Sequence, residues 1–281
     1  MQVRVALKSA VEKFQENSTP SLDARLLLAS AMGYSQEELL INYDQELAPD
    51  IEQEFFKLVV RREAREPIAY ILGKQEFYGL DFQINEHVLI PRPDTELIID
   101  CIKEDYSTNY LNQSVDILEL GVGSGAISVC LAKEIILAEI IAVDISDEVL
   151  KVAKTNILNH KVQDQVKLLK SDWYLNLDKA KKYDYIVSNP PYICRTEIDQ
   201  MSKETVDYEP DLALYADNNG LSSYQAIIQN ARDFLNISGK LILEIGYSQK
   251  EAISDLLEFS GFNEIEVKSD LAGLDRVIIA S

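Results

Sequence analysis

The run Asn189-Pro190-Pro191-Tyr192 concentrates more potential chemistry than any other stretch of this chain. Two adjacent prolines fix the backbone and remove two N–H donors, leaving carbonyl oxygens free to accept. The Asn189 side chain adds another oxygen acceptor. Two acceptors facing one NH2 group suit a planar amide or an exocyclic amine, and the Tyr192 ring is expected to stack on that plane. An amide nitrogen is a poor nucleophile because its lone pair is delocalised into the carbonyl. Holding both hydrogens and orienting the lone pair favours in-line attack on an electrophilic carbon. An Asn-Pro-Pro run is also ordinary turn chemistry, so its meaning depends on its surroundings.

Upstream, Asp116-Ile117-Leu118-Glu119-Leu120 reads as a strand running into Gly121-Val122-Gly123-Ser124-Gly125 and then a helix. Glycines there permit a tight strand-to-helix turn and a close backbone approach to a ligand. Asp144 ends the next strand, where a carboxylate can accept both hydroxyls of a ribose. Asp172-Trp173 follows the third strand, where a carboxylate can accept an adenine amino group and an indole can pack on the base. These features point to an adenosine-type cofactor. The loop alone leaves its identity open, since Gly121-x-Gly123-x-x-Ala126 also satisfies the loose dinucleotide fingerprint. Judged alone, Asp144 could instead cap a helix, a reading less favoured than the ribose one, and Asp172 could as readily cap beside a core tryptophan.

The elements that must position these residues are legible in outline. Thr19-Pro20-Ser21 opens a helix that Gly33 closes, and Ser35 with Glu38 makes a capping box. Pro49-Asp50 opens a helix with Ile51, Phe55, Leu58 and Val59 on one face, and Pro67 interrupts the pattern. Residues 1–73 are thus expected to form a small helical domain. Phe77 to Phe82 and Val88-Leu89-Ile90 read as short strands of a hairpin linker, residues 74–92. Pro91-Arg92-Pro93-Asp94-Thr95-Glu96 reads as a rigid turn into a helix carrying Leu97, Ile98, Ile99 and Ile102, opening a domain over 93–281. Strands are expected at 115–120, 139–143, 166–170, 183–188, 240–245, 264–268 and 276–280, with helices between them. That alternation implies an α/β fold whose mostly parallel sheet is covered on both faces.

Composition narrows the classes. The 281 residues carry a formal net charge of -20. Such a surface repels phosphate backbones, so direct nucleic-acid binding is not expected without a basic patch. The visible candidate, Arg61-Arg62 with Arg65, is short. Three dispersed cysteines, Cys101, Cys130 and Cys194, fit neither a disulfide framework nor a zinc site, which suggests a reducing cytosol. Met1-Gln2-Val3-Arg4 leads into a mixed polar helix rather than an apolar signal core. No apolar run reaches the roughly 18 residues of a membrane span. With only His87 and His160, a mechanism needing several histidine ligands is excluded, and no metal site is expected.

Taken together, the glycine loop, Asp144, Ser171-Asp172-Trp173 and the Asn189 turn resemble the class I methyltransferases. Within them, the chain is similar to the bacterial peptide-chain release factor glutamine methyltransferases over nearly its whole length. Arg61-Arg62, Arg65-Glu66-Pro67-Ile68-Ala69-Tyr70, Gly73, Phe77-Tyr78-Gly79 and Ile90 to Glu96 carry the likeness. Tyr208-Glu209-Pro210, Ala213-Leu214, Glu244 and Arg276 extend it. Glu119 departs from it, standing where the family usually has Asp.

The resemblance implies a Rossmann-like class I sheet with the helical domain as substrate-recognition module and the hairpin as linker. It implies S-adenosylmethionine held by Gly121, Val122, Gly123, Ser124, Gly125, Asp144, Asp172, Trp173 and Asn189. The implied acceptor is the glutamine of the Gly-Gly-Gln loop in class I release factors, bound by Asn189, Pro190, Pro191 and Tyr192, in the cytoplasm and away from membranes. Asn189, Pro190 and Tyr192 would be the catalytic residues. Alternatives are a glutamine methyltransferase of a ribosomal protein, whose linker signature differs, and a DNA adenine N6-methyltransferase, which needs a target-recognition region and a basic surface. A nicotinamide oxidoreductase or a non-catalytic binding module would leave the Asn189 turn unexplained.

Overall fold

The computed structural model describes residues 1–281. Two compact units emerge, one of residues 1–74 with 201–208, the other of 75–200 with 209–281.

In the first unit, helices Val3–Lys13, Pro20–Met32, Gln36–Ile41, Pro49–Glu63 and Ile68–Leu72 pack around Leu7, Phe14, Leu27, Leu28, Leu39, Phe55 and Val59. Local chemistry sets their ends. Gly33 and Gly73 close helices in the left-handed conformation, and Ser35 and Glu38 exchange the two bonds of a capping box. Thr19 makes no cap; its hydroxyl instead donates to Asp23 at 2.7 Å. That carboxylate has a stronger claim on it, because Asp23 also accepts from the buried Arg62 Nε at 2.7 Å. Arg62 further donates to Glu204 at 3.0 Å and to the Glu66 carbonyl at 2.8 Å. A buried guanidinium requires such pairing. The helix Lys203–Tyr208 is thereby held in the first unit, where the Tyr208 hydroxyl also donates to the Ala64 carbonyl at 2.7 Å.

The second unit opens with a two-stranded hairpin, β1 (Lys74–Phe77) and β2 (Leu80–Gln83). Its main sheet holds β3 (Val115–Leu120), β4 (Ala138–Asp144), β5 (Val166–Lys170), β6 (Tyr183–Ser188), β7 (Leu235–Glu244), β8 (Ile265–Ser269) and β9 (Asp275–Ala280), in the order β5-β4-β3-β6-β7-β9-β8. Strands β3 to β7 are parallel; β9 runs antiparallel to both of its neighbours. Apolar residues alternate little along β3 and β6 because helices cover both faces. Those helices include Glu96–Asn109, Ala126–Glu134, Asp147–Asn159, Ser222–Ala231 and Lys250–Phe259.

The stretch 88–90 is no strand. Val88 and Ile90 are buried, but the Ile90 N–H donates to the Glu209 carboxylate at 3.2 Å, so a side chain does the work of a ladder partner. The hairpin is part of the second unit. Asn156 clamps both backbone groups of Gln83 at 2.8 Å and donates to the Ser124 carbonyl at 2.8 Å, tying β2 to the glycine loop. No helix is long and apolar enough to cross a membrane.

Candidate active site

Strand β3 lies between β4 and β6, so the chain leaves its carboxyl end at a topological switch point, where open α/β sheets bind ligands. Gly121, Gly123 and Gly125 all adopt positive φ, which side-chain-bearing residues rarely do. At Gly121 and Gly123 the space where a Cβ would point is empty, while Gly125 opens the helix Ala126–Glu134 against Ala153. Asp144, at the end of β4, accepts from Gly123 N at 3.4 Å and Ser146 N at 3.0 Å, one bond to each oxygen, which leaves lone pairs over for a ligand. Burial raises its pKa. Ser146 rather than Asp144 caps the following helix.

Glu119 is buried at the end of β3 and accepts from both the backbone N–H of Ser128, at 3.1 Å, and the Ser128 hydroxyl. Desolvation outweighs these bonds and pushes its carboxyl up to about 8. Asp172 is exposed beside the half-buried Trp173, whose φ is 45°.

Strand β6 delivers Asn189 next to the glycine loop. The Ser188 hydroxyl donates to the Leu120 carbonyl at 2.6 Å, pinning the ends of β6 and β3 together. Asn189 Nδ2 then donates to Thr95 Oγ1 at 3.1 Å, and that hydroxyl donates to the buried Glu244 at 2.6 Å. The Tyr192 hydroxyl donates to the other Glu244 oxygen at 3.2 Å. Burial pushes the Glu244 carboxyl up to about 7, against the opposing influence of its hydroxyl partners and Arg276. Behind the turn, Gln249 Nε2 donates to the Tyr192 carbonyl at 3.0 Å. The Pro91-Arg92-Pro93-Asp94-Thr95-Glu96 signature frames the other side. Arg92 pairs with buried Glu209, Asp94 with Arg276 at 3.3 Å, and Glu96 accepts from Tyr78 N at 2.8 Å.

These pieces surround one cavity of about 480 Å³, within the range of small-molecule and cofactor sites. Gly121, Val122, Gly123, Ser124, Asp144, Asp172, Trp173, Asn189 and Pro191 all line it, with Arg92 and Thr95. Gly125, Pro190 and Tyr192 do not. For Tyr192 this corrects the stacking expected from sequence: the ring packs against the sheet core and the hydroxyl is engaged by Glu244, so the residue supports the turn from behind. The residues that composition and spacing left without a role are Thr95, Glu209, Glu244 and Arg276. The signal for them was resemblance alone, because Glu209 lies 117 positions from Arg92, Glu244 lies 149 from Thr95, and Arg276 pairs with the distant Asp94. No group of three or more His, Cys, Asp or Glu is placed to hold a metal ion.

Comparison with known proteins bears on this geometry. Residues 5–73 match the family described as the PrmC N-terminal domain, and residues 93–206 match the methyltransferase small domain. The chain is 39% identical to a release factor glutamine methyltransferase of Clostridium botulinum, over 92% of this chain and 91% of that protein. It is 37% identical to one of Burkholderia pseudomallei, over 95% and 94%. It is also 39% identical to a bifunctional methyltransferase of Rickettsia conorii, over 99% of this chain and 57% of that protein, so it spans little more than half the length of that longer relative. Among solved structures, a Pyrococcus furiosus methyltransferase has a TM-score of 0.53 at 19% identity, covering 80% of this chain and 96% of its own. The hMettl16 catalytic domain, solved with a MAT2A 3'UTR hairpin, has a TM-score of 0.59 at 16% identity, covering 81% and 80%. Those two likenesses establish the methyltransferase fold, and the relatives covered almost end to end establish more: the chain belongs to the release factor glutamine methyltransferase family.

Proposed function

We propose that the chain transfers a methyl group from S-adenosylmethionine to the side-chain amide nitrogen of the glutamine in the Gly-Gly-Gln loop of class I release factors. The observation that carries this reading is the convergence of the glycine loop and the Asn189 turn on one cavity. The cavity fits the cofactor on its own terms. Two glycines leave room for close backbone approach, Asp144 keeps free lone pairs for ribose hydroxyls, and Asp172 with Trp173 offers an acceptor and a flat face for adenine. When bound, S-adenosylmethionine supplies an electrophilic methyl group on a sulfonium sulfur, which departs as a neutral thioether.

The chain's own residues do the rest. The Asn189 side-chain oxygen, at the cavity wall, accepts an amide hydrogen and orients the acceptor, while Pro190, which does not line the cavity, fixes the backbone of the turn. The nitrogen lone pair then faces the methyl group in line, the N–C bond forms as the methyl–sulfur bond breaks, and one of the two amide protons is released to solvent. Pro191 walls the cavity, and Tyr192 braces the turn through Glu244. The helical unit, residues 1–73, supplies recognition of the release-factor body, since one glutamine side chain offers far less than the roughly 800 Å² per partner of a stable interface. Methylation of DNA adenine is not supported. Arg61 donates to Glu66 at 2.8 Å, Arg62 is buried with Asp23, and Arg65 lies 3.4 Å from Glu204, so the basic cluster is spent on internal ion pairs.

The test is methyl transfer from labelled S-adenosylmethionine to purified release factor, to release factor with its Gly-Gly-Gln glutamine replaced by alanine, to ribosomal proteins and to duplex DNA. Label on intact release factor alone is expected. Equal label on the alanine variant, or transfer to DNA, contradicts the proposal.

A further inference from the structure

We propose that Thr95 and Glu244 form a one-directional hydrogen-bond relay that fixes which end of the Asn189 amide faces the acceptor, which makes both of them positioning residues. The inference rests on the reading of the acceptor as an amide NH2.

Glu244 is 1% exposed at the end of β7, and each of its oxygens receives a hydroxyl proton, Oε2 from Thr95 at 2.6 Å and Oε1 from Tyr192 at 3.2 Å. A threonine hydroxyl has one hydrogen. Above about pH 7, where Glu244 is ionised and can only accept, that hydrogen is committed to the carboxylate, and Thr95 Oγ1 presents only lone pairs to Asn189, 3.1 Å away. Asn189 must therefore offer its NH2 to Thr95, and its oxygen becomes the free end. Rotating the amide by half a turn would set two acceptors against each other and aim a donor at a substrate donor. An ordinary structural duty for Thr95 is absent. It begins the helix Glu96–Asn109, yet its side chain makes no capping bond. Its hydroxyl is instead spent between a buried carboxylate and a side chain of the cavity wall.

The experiment compares Thr95→Val, which keeps shape and loses the hydroxyl, with Thr95→Ser, which keeps the hydroxyl. Each is made in the wild-type and Asn189→Ala backgrounds. Single-turnover rates on intact release factor, KM for release factor, S-adenosylmethionine Kd and melting temperature are read for each. The relay predicts that Thr95→Val lowers the transfer rate at least about tenfold with cofactor Kd nearly unchanged, at an assay temperature well below a melting temperature that falls because Glu244 loses a hydroxyl donor. Thr95→Ser recovers most of the rate, and Thr95→Val adds no further loss once Asn189 is alanine. A Thr95→Val rate equal to wild type, no recovery by serine, or the same fractional loss in both backgrounds overturns it. Wild-type protein that leaves release factor unmethylated fails earlier and differently, overturning the proposed function and the relay with it.

Discussion

Glu119 and Glu244 are the two buried carboxyls of the site that depart far from ordinary solution behaviour. Both are buried, and both carboxyls are raised, to about 8 and about 7. In the unfolded chain each titrates near the ordinary glutamate value of about 4.3. Between those limits the native state keeps protons that the unfolded state has released, so stability falls as pH rises through that window. Glu119→Gln mimics the neutral acid: its amide oxygen can accept both Ser128 bonds without carrying charge. The substitution is expected to raise stability by on the order of 3–5 kcal/mol at about pH 8.5, and by no more than about 1 kcal/mol at about pH 5. Thermal melts at the two pH values check this. A gain of equal size at both would mean that charge burial is not what sets the Glu119 contribution.

At the scale of elements, the strand-and-helix alternation was readable because apolar runs and glycine or proline punctuation are local properties. Strands β3, β5 and β6 fall where the pattern puts them, and β7 starts earlier, at Leu235. Residues 88–90 misled because buried apolar residues look alike in strands and in loops stapled by a distant glutamate. The Asn189 turn was legible as a motif, but its support was not. Behind it, Asn218, Asn219 and Gly220 follow one another at positive φ, and a Cβ on Gly220 would overlap the Tyr192 carbonyl. Gly220→Ala is therefore expected to destabilise the fold by roughly 1–3 kcal/mol. Methyl transfer should fall more steeply than cofactor binding, because the displaced carbonyl belongs to the turn proposed to hold the acceptor. Calorimetry and single-turnover rates on the same sample distinguish the two effects, and an alanine variant with wild-type transfer would remove Gly220 from the support of the turn.

At the scale of the whole molecule, the chain runs from the Asn189 turn into the helical unit at Met201–Tyr208 and returns at Glu209, whose carboxylate holds Arg92 and Ile90 beside the cavity. Covalent continuity thus links the proposed recognition unit to the Asn189 turn, a connection that sequence reading missed because residues 201–208 follow the turn in the chain and belong to the other unit in space. Short Gly-Gly-Gln peptides should accordingly be poor substrates, with kcat/KM at least about 100-fold below that of intact release factor, since they forgo the interface. Peptide kinetics matching the intact substrate would place recognition in the cavity alone. The most direct measurement of the central claim is tandem mass spectrometry of intact release factor after incubation with this protein and S-adenosylmethionine. A single added methyl group on the side-chain nitrogen of the Gly-Gly-Gln glutamine is the expected result, and a methyl group on any other residue, or none, contradicts the account.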